Sequence, residues 1–367
     1  MTGSTPCDND TVDCSSTEGL DNQTISVLGG GSFGTALANI AAMNGYNVYQ
    51  WMRNAEQAQQ MIDERQNSRY LPGFELDPKL HPVTNFDAIS RSRVVLVSIP
   101  SKNFRDVVRQ VAPRLQPGQM LISTTKGIEP GSFRLMSQVL REEAPQCQVG
   151  VISGPNLAKE IATRQLAATV IASDHPELCR RIQATLHCDF FRVYAGSDMY
   201  GVELGGALKN IYAIAAGMSA ALGMGENTRS MLMTRSLAEM SRFAVHMGAD
   251  PLTFLGLAGV GDLIVTCMSP LSRNYRVGYA LGQGGDLESV VEQLGEVAEG
   301  VNTLKYVKAK ADELEIYMPL VQGLYQVVFE GQSVRQVIGG MMMSAQGEDV
   351  AFELLDPEKP RSGLGNA

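Results

Sequence analysis

Residues 24–44 read TISVLGGGSFGTALANIAAMN, and this stretch decides the fold. A short apolar strand pattern at Thr24–Leu28 leads into the glycine-rich turn Gly29–Gly34, and small and apolar residues at helical spacing follow over Thr35–Asn44. Apolar residues that change from a strand pattern to a 3.6-residue period indicate a strand, a tight turn and a helix. The stretch therefore predicts the start of a βαβ unit.

The turn has the spacing G-x-G-x-x-G. Its first glycine, Gly29, permits the tight turn, and its second, Gly31, lets the backbone approach a pyrophosphate. The third, Gly34, lets the helix pack on the sheet. The helix N-terminus adds free N–H groups and a partial positive charge. Because the turn lies between a strand and a helix, a bound dinucleotide is favoured over a plain glycine-rich loop.

Strand and helix patterns continue to alternate after this turn. The expected strands are Asn47–Met52, Arg93–Ile99, Met120–Thr125 and Gln148–Ser153, and the expected helices are Glu56–Gln66 and Phe104–Leu115. Arg93–Ile99 is an almost unbroken apolar run, which is typical of a strand buried on both faces of a parallel sheet. The alternation predicts a Rossmann-like, doubly wound parallel sheet over residues 24–200.

The pattern of apolar residues changes at about residue 200, and strand patterns nearly vanish after it. Helix patterns lie at Gly205–Met224, Met231–Met247, Val290–Leu294, Thr303–Leu314 and Gly323–Phe329. We therefore expect an all-helical substrate domain over residues 201–350. Residues 1–23 are acidic and rich in Ser and Thr, and we expect a disordered extension there, with a C-terminal tail at residues 351–367. The predicted fold class is α/β followed by all-α.

Composition excludes several classes of partner. The 367 residues carry a net charge of −9, which argues against nucleic acid as the main ligand. The first basic residue is Arg53, so a targeting segment is not expected, and no apolar run is long enough to span a bilayer. Six scattered cysteines without metal-ligand spacing predict reduced thiols and no metal site. We expect a cytoplasmic protein without a membrane anchor.

The end of the second strand bears on the choice of cofactor. NAD-specific sites place an acidic residue there to accept a hydrogen bond from the ribose 2′-hydroxyl. This chain instead has Arg53, and no acid occurs before Glu56. Arg53 could favour a 2′-phosphate, although it could also be a solvated surface residue. We predict that NADP is used at least as well as NAD.

The candidates for the group that exchanges a proton with the substrate are lysines rather than histidines. The four histidines lie in contexts that favour structural roles, whereas Lys126 follows an expected strand at the carboxyl edge of the sheet. Lys209 lies among apolar neighbours in Gly205–Asn210, where desolvation lowers the pKa of a lysine and makes it a possible proton acceptor. Taken alone, a single lysine in a helix pattern favours a solvated or snorkelling side chain.

Several further motifs make the sequence resemble a known family. They are Thr125-Lys126-Gly127, Ile152–Pro155, Val202–Asn210, Ala238–Met240, Gly259–Cys267, Ser272–Asn274 and Glu299-Gly300. Together with the glycine turn, they resemble the bacterial-type glycerol-3-phosphate dehydrogenase [NAD(P)+] family in order and spacing from about Thr24 to Ala345.

This resemblance implies roles for individual residues. Lys209 matches the proton acceptor. Substrate contacts are implied for Lys126, Gly154, Asn156, Lys209, Asp262, Ser272, Arg273 and Asn274. Cofactor contacts are implied for Ser32, Phe33, Arg53, Lys126, Ala158, Arg273, Val297 and Glu299, beside the turn residues Gly29, Gly31 and Gly34. Many family members carry Ser or Thr where this chain has Asn156.

Two questions about the lysine stay open at this point. Asp262 could orient Lys209 or bond a substrate hydroxyl, and beside Lys209 it would raise the lysine pKa against the effect of desolvation. Asn210 and Thr266 are further polar candidates near the substrate, or they could be satisfied helix residues.

The implied activity is reversible reduction of dihydroxyacetone phosphate to sn-glycerol 3-phosphate, which would supply glycerophospholipid synthesis. The resemblance also suggests a homodimer. A β-hydroxyacid dehydrogenase of related architecture is an alternative, but Ser272–Asn274 and Gly259–Cys267 speak against it. A redox sensor that binds NAD(P)H without turnover would not need Lys126, Lys209, Asp262 and Arg273 together.

Overall fold

The computed structural model describes residues 19–294 and 298–343. Strands and α-helices are numbered separately along the chain. The strands are β1 (Asp21–Leu28), β2 (Asn47–Trp51), β3 (Gln66–Asn67), β4 (Leu71–Glu75), β5 (Leu80–Val83), β6 (Ser92–Val97), β7 (Met120–Ser123), β8 (Gln148–Ser153), β9 (Ala167–Ala172) and β10 (Phe191–Gly196). The helices of the first half are α1 (Ser32–Met43), α2 (Ala55–Glu64), α3 (Ser101–Val111), α4 (Met136–Glu143), α5 (Ala158–Ala162) and α6 (Pro176–Leu186).

The second half of the described chain is helical. Its helices are α7 (Met199–Ala221), α8 (Glu226–His246), α9 (Asp262–Met268), α10 (Arg273–Gly282), α11 (Leu287–Leu294), α12 (Glu299–Glu313), α13 (Pro319–Phe329) and α14 (Val334–Met342). The 3-10 helix Pro251–Leu255 and the π-helical segment Leu257–Gly261 lie between α8 and α9. None of the described helices is long and apolar enough to cross a membrane.

Eight strands form one sheet in the order β10-β9-β8-β7-β6-β1-β2-β5. All neighbours are parallel except β8 and β9, which are antiparallel. On β6, Val94 and Leu96 join one hydrophobic core, while Val95 and Val97 join another. Both faces of the sheet are therefore buried, which confirms the predicted doubly wound sheet. The strand order reverses between β1 and β6, the place where such sheets bind ligands.

The sequence patterns missed the small β3–β4 sheet and, in the large sheet, β5, β9 and β10. β5 has only four residues and contains Pro82, and β10 is an edge strand on which buried and exposed residues alternate. β9 reverses the strand direction, although the alternation of strands and helices predicts only parallel neighbours. Short edge strands give a weak apolar signal because one side and one edge face water.

The first strand begins earlier than expected. β1 starts at Asp21, and Asp21 pairs with Ser92 of β6, so a disordered extension over residues 1–23 is wrong for its last residues. The side chains of Asp21–Gln23 are exposed, and this concealed a strand whose backbone is paired. Residues 1–18 and the expected tail at 351–367 lie outside the described residues.

The helix α7 is the centre of the helical half. It begins at Met199, six residues before the predicted Gly205, and glycines permit a close approach between α7 and α10. A Cβ on Gly278 of α10 would overlap the backbone of Ile214 in α7. Glu203 of α7 accepts hydrogen bonds from the backbone and hydroxyl of Ser137 at the start of α4. We keep the domain limits 24–200 and 201–350 as a proposal.

Candidate active site

The glycine turn joins β1 to α1 at the carboxyl end of the sheet. Gly29 has φ +118°, and a Cβ there would overlap the carbonyl oxygen of Ser98, which follows β6. A Cβ on Gly34 would come within 2.9 Å of Ser98 Cβ. A side chain is thus excluded at Gly29 and at Gly34, where the turn and the start of α1 meet the sheet. Gly31 differs, because a Cβ there would meet nothing within 4 Å, so the turn is open on that side.

The first turn of α1 is built to leave its N–H groups to a ligand. Gly31 is the N-cap residue and contributes no side-chain cap. Ser32 and Phe33 are half-buried, and Phe33 packs against the core beneath the turn, as does Ala158 at the start of α5. Arg53 is exposed two residues beyond β2. These predicted cofactor residues thus belong to the β1-α1 turn, the end of β2 and the start of α5.

A second group of predicted residues forms a buried cluster of charges. Asp262, the first residue of α9, lies between two lysines. Its Oδ1 is 2.5 Å from Lys209 Nζ, and its Oδ2 is 2.6 Å from Lys126 Nζ. Lys126 also donates to the carbonyl oxygen of Gly154 at 2.8 Å, and Lys209 donates to Thr266 Oγ1 at 2.5 Å. The cluster joins residues that follow β7 and β8 to α7 and α9.

The environment of Lys209 determines its acidity. Its side chain is 7% exposed and lies in the interior of α7, not near the helix start. Burial lowers the pKa of Lys209 to about 8, while Asp262 opposes that change and Lys126 adds to it. Desolvation is thus the largest influence on the pKa of Lys209, and Asp262 acts against it. A lysine with this pKa can exchange a proton near neutral pH.

The predicted phosphate-binding residues Ser272, Arg273 and Asn274 lie at the start of α10. Ser272 caps the helix by accepting from the backbone N–H of Tyr275 at 3.3 Å. Arg273 is exposed, whereas Ser272 and Asn274 are buried. The triplet thus presents one guanidinium at a helix N-terminus, where anions are favoured.

The Asn274 amide has structural partners of its own. It donates to Asn210 Oδ1 at 2.9 Å and accepts from the backbone N–H of Gly300 at 3.0 Å. These bonds tie α10 to α7 and α12, so Asn274 sits between the lysine helix and the helix that starts at Glu299. Sequence reasoning treated Asn274 as a ligand contact only, because residues 64 and 26 positions away give no local signal.

Glu299 connects α12 to the sheet. Its Oε1 accepts from the backbone N–H of Ser101 at the start of α3, at 3.2 Å. Its Oε2 is buried against Gly127 and has no hydrogen-bond partner among the described residues. Burial raises the pKa of Glu299 to about 7, and the charge of Arg273 works in the other direction. Val297, its predicted neighbour in the site, lies outside the described residues.

Asn156 is hydrogen-bonded to the neighbouring strand β9. Its amide nitrogen donates to Thr169 Oγ1 of β9 at 2.8 Å, and its Oδ1 is buried without a partner in the described chain. Gly154, two residues earlier, accepts the hydrogen bond from Lys126 Nζ.

Two further contacts at this edge escaped the sequence reasoning: the backbone N–H of Ser101 and the contact between Gly206 and Ser153 Oγ. The signal for Gly206 was the Gly-Gly pair within a helix pattern, which marks a close approach. In residues 19–294 and 298–343, no three His, Cys, Asp or Glu side chains are grouped as metal ligands would be.

Comparison with known proteins decides the family. Residues 24–179 match the family profile described as NAD-dependent glycerol-3-phosphate dehydrogenase N-terminus, and residues 198–339 match the profile of its C-terminus. The chain belongs to the NAD-dependent glycerol-3-phosphate dehydrogenase family. The resemblance inferred from the motifs is thereby confirmed.

Individual relatives agree with the family profiles. The chain is 60% identical to a glycerol-3-phosphate dehydrogenase [NAD(P)+] from Ectopseudomonas mendocina over 331 residues, covering 90% of this chain and 97% of that protein. It is 60% identical to one from Azotobacter vinelandii, over 91% of this chain and 98% of that protein. A crystal structure of glycerol-3-phosphate dehydrogenase from Coxiella burnetii, 36% identical, superposes with a TM-score of 0.83 and covers 88% of this chain and 99% of that one.

Proposed function

We propose that the chain catalyses the reversible, NAD(P)-dependent reduction of dihydroxyacetone phosphate to sn-glycerol 3-phosphate. One observation carries the proposal: Lys209, Asp262 and Lys126 form a buried cluster at the carboxyl edge of a sheet that ends in a dinucleotide turn. Family membership supports the same reaction. A non-catalytic sensor would gain nothing from a buried and a half-buried lysine on one buried carboxylate, since burying charges is costly.

The turn fits a dinucleotide on its own geometry. Gly31 is open on one side, the first turn of α1 has no side-chain cap, and Glu299 Oε2 is a buried acceptor in need of a donor. The residues that would hold the cofactor are Gly29, Gly31, Ser32, Phe33, Gly34, Arg53, Lys126, Ala158, Arg273, Val297 and Glu299. When bound, its nicotinamide supplies or accepts the hydride.

The phosphate of the substrate would be bound at the start of α10. Arg273 offers a planar fork of N–H donors that matches a phosphate, and Ser272 and Asn274 offer small polar groups beside it. Gly154 and Asn156 would line the same pocket from the end of β8. Only part of the hydrogen-bonding capacity of the Asn274 amide remains for the substrate, because the amide already bonds Asn210 and Gly300.

The proton moves through Lys209 in this proposal. In the reductive direction, the Lys209 ammonium donates a proton to the oxygen of the substrate carbonyl. In the oxidative direction, the neutral amine accepts the proton of the secondary alcohol. Asp262 and Thr266 hold the Lys209 side chain in place, and Lys126 contacts the other oxygen of Asp262 and orients the substrate.

The proposal extends to the choice of cofactor, the oligomeric state, the location and the metabolic role. Arg53 favours NADP at least as much as NAD, because it offers a cation and no acid where the 2′-position is expected. A homodimer, a cytoplasmic location, a role in supplying phospholipid synthesis and independence from metals follow from the sequence and the family alone.

A direct assay tests the proposed activity. The full chain is mixed with NADPH or NADH and dihydroxyacetone phosphate, and nicotinamide absorbance is followed in parallel with small β-keto acids. We expect turnover with the phosphate ester only, with NADPH at least as effective as NADH. Turnover with keto acids alone would favour the β-hydroxyacid alternative, and binding of NADPH without any turnover would favour the sensor.

A further inference from the structure

A cluster of uncharged polar side chains lies directly beneath the dinucleotide turn. It consists of Thr35 in α1, Gln50 in β2 and Asn67 in β3, and each of these side chains is 0% exposed. Burying a polar group is costly unless its hydrogen bonds are made. The steps proposed above use none of the three residues, so the cluster calls for another explanation.

Both amides bond the backbone of the turn. Gln50 Nε2 donates to the carbonyl oxygen of Gly29 at 2.9 Å, and Asn67 Nδ2 donates to that of Gly30 at 2.9 Å. Each amide nitrogen also donates to Thr35 Oγ1, at 3.0 Å from Gln50 and 2.8 Å from Asn67. All four amide hydrogens are thereby used. Flipping either amide would set an oxygen against a carbonyl oxygen, so the orientation is fixed by the acceptors.

The pinned carbonyls determine where the next N–H groups point. In a trans peptide the C=O of one residue and the N–H of the next lie in one plane and point in opposite directions. Holding the Gly29 and Gly30 oxygens inward therefore turns the N–H groups of Gly30 and Gly31 outward. Gly31 is the residue whose surroundings are open on the side of the missing Cβ. Backbone N–H groups aimed at one place in this way bind anions.

We propose that Asn67 and Gln50, which share Thr35 Oγ1 as an acceptor, are positioning residues that preorganise the turn for the cofactor pyrophosphate. The inference rests on the proposed function and deepens it. It assigns part of the cofactor affinity to two neutral side chains that do not contact the cofactor. Asn67 comes from the small β3–β4 sheet, 38 positions after Gly29, so this sheet serves the cofactor site as a support.

The test measures binding without turnover. Trp51 is the only tryptophan of the chain, and its carbonyl oxygen accepts from the N–H of Gly29. Quenching of Trp51 emission by NADPH therefore reports the Kd in the full-length protein. Asn67→Leu and Asn67→Asp both remove the two N–H donors, but only the second adds a charge. We expect both to raise the Kd about tenfold, the usual effect of leaving buried partners unsatisfied.

The matched control is Asn44→Leu at the other end of α1. Asn44 also donates to two backbone carbonyls, those of Thr185 and His187, at 2.9 and 3.0 Å. It holds the same helix but lies away from the turn, so its Kd for NADPH should stay within about twofold of the wild type. In steady state, Asn67→Leu should raise the KM for NADPH and leave the KM for dihydroxyacetone phosphate unchanged.

Several outcomes would overturn the inference. One is an unchanged Kd for NADPH in Asn67→Leu. Another is weaker NADPH binding in Asn67→Asp alone, which would be a charge effect. The third is an equal weakening of NADPH binding in the control Asn44→Leu. If circular dichroism shows that the Asn67 variants do not fold, Thr35→Val and Thr35→Ser decide. A raised Kd in the valine variant alone supports the inference, and equal values overturn it. If the wild type itself binds no NADPH or NADH, the proposed function fails instead.

Discussion

The dinucleotide turn and the lysine cluster lie at the same edge of one sheet, yet they are built by opposite means. The turn consists of backbone and neutral amides, and most of it is one contiguous stretch, Gly29–Thr35, following β1. The cluster consists of charged side chains, Lys126, Lys209 and Asp262, brought together from three distant segments. The comparison suggests that cofactor binding depends on preorganised backbone, while proton transfer depends on a desolvated charge.

The largest expected effect comes from removing that charge. Lys209→Ala should lower kcat for dihydroxyacetone phosphate by about 10³-fold, because general acid–base catalysis contributes on this order. The Kd for NADPH from Trp51 quenching should stay near the wild-type value, since the turn lies elsewhere. Lys305→Ala, a change at an exposed lysine of α12, is the control for the loss of a positive charge. Near-normal turnover in Lys209→Ala would remove Lys209 from the mechanism.

A smaller effect is expected at the start of α10. Arg273→Lys keeps the charge but loses the planar fork, so the KM for dihydroxyacetone phosphate should rise about 30-fold. Steady-state kinetics at saturating NADPH would measure it. The control substrate is glyceraldehyde, which lacks the phosphate. Its turnover should be poor, and equally poor in Arg273→Lys and in the wild type. Equal losses for both substrates would place Arg273 outside the phosphate site.

Asp262→Asn should change the pH dependence more than the cofactor affinity. Asp262 raises the pKa of Lys209 against the effect of burial, so its loss should bring that pKa below about 8. Less of Lys209 is then protonated, and the rate of reduction at pH 8 should fall about tenfold. The rate profile from pH 6 to 9 would show its descending limb at lower pH than in the wild type. An unchanged limb would mean that Asp262 does not tune the lysine.

The smallest effect is expected at Arg53, which is exposed two residues beyond β2. Arg53→Ser should lower the preference for NADPH over NADH about fivefold, because an exposed cation is screened by solvent. The ratio of kcat/KM for the two cofactors measures it. Arg69→Ser, also at an exposed arginine, serves as the comparison and should leave the ratio unchanged. If the ratio in Arg53→Ser is also unchanged, another residue reads the 2′-position.

The same contrast explains how much the sequence could predict. The turn was readable because its glycines and its flanking strand and helix are contiguous. Asp262 lies 53 residues from Lys209, and only the family resemblance brought them together before the structure did. The relative strength of desolvation and of the aspartate depends on packing, which spacing cannot give.

Other features of the fold could not be predicted from local sequence patterns, each for a different reason. The start of β1 at Asp21 was concealed by exposed polar side chains. The antiparallel β9 breaks the rule that alternating strands and helices run parallel. The support from Asn67 beneath the turn comes from a two-residue strand with no periodic signal.

In the proposed mechanism, one desolvated lysine, Lys209, carries the proton in both directions. Burial lowers the pKa of Lys209 to about 8, so the protonated donor is lost and the neutral acceptor appears as the pH rises through that value. The decisive measurement is the single-turnover rate of the wild type from pH 6 to 10, in each direction, at saturating cofactor and substrate. We predict that reduction falls and oxidation rises around pH 8. Rates that rise together, or that show no dependence near pH 8 in either direction, would contradict the account.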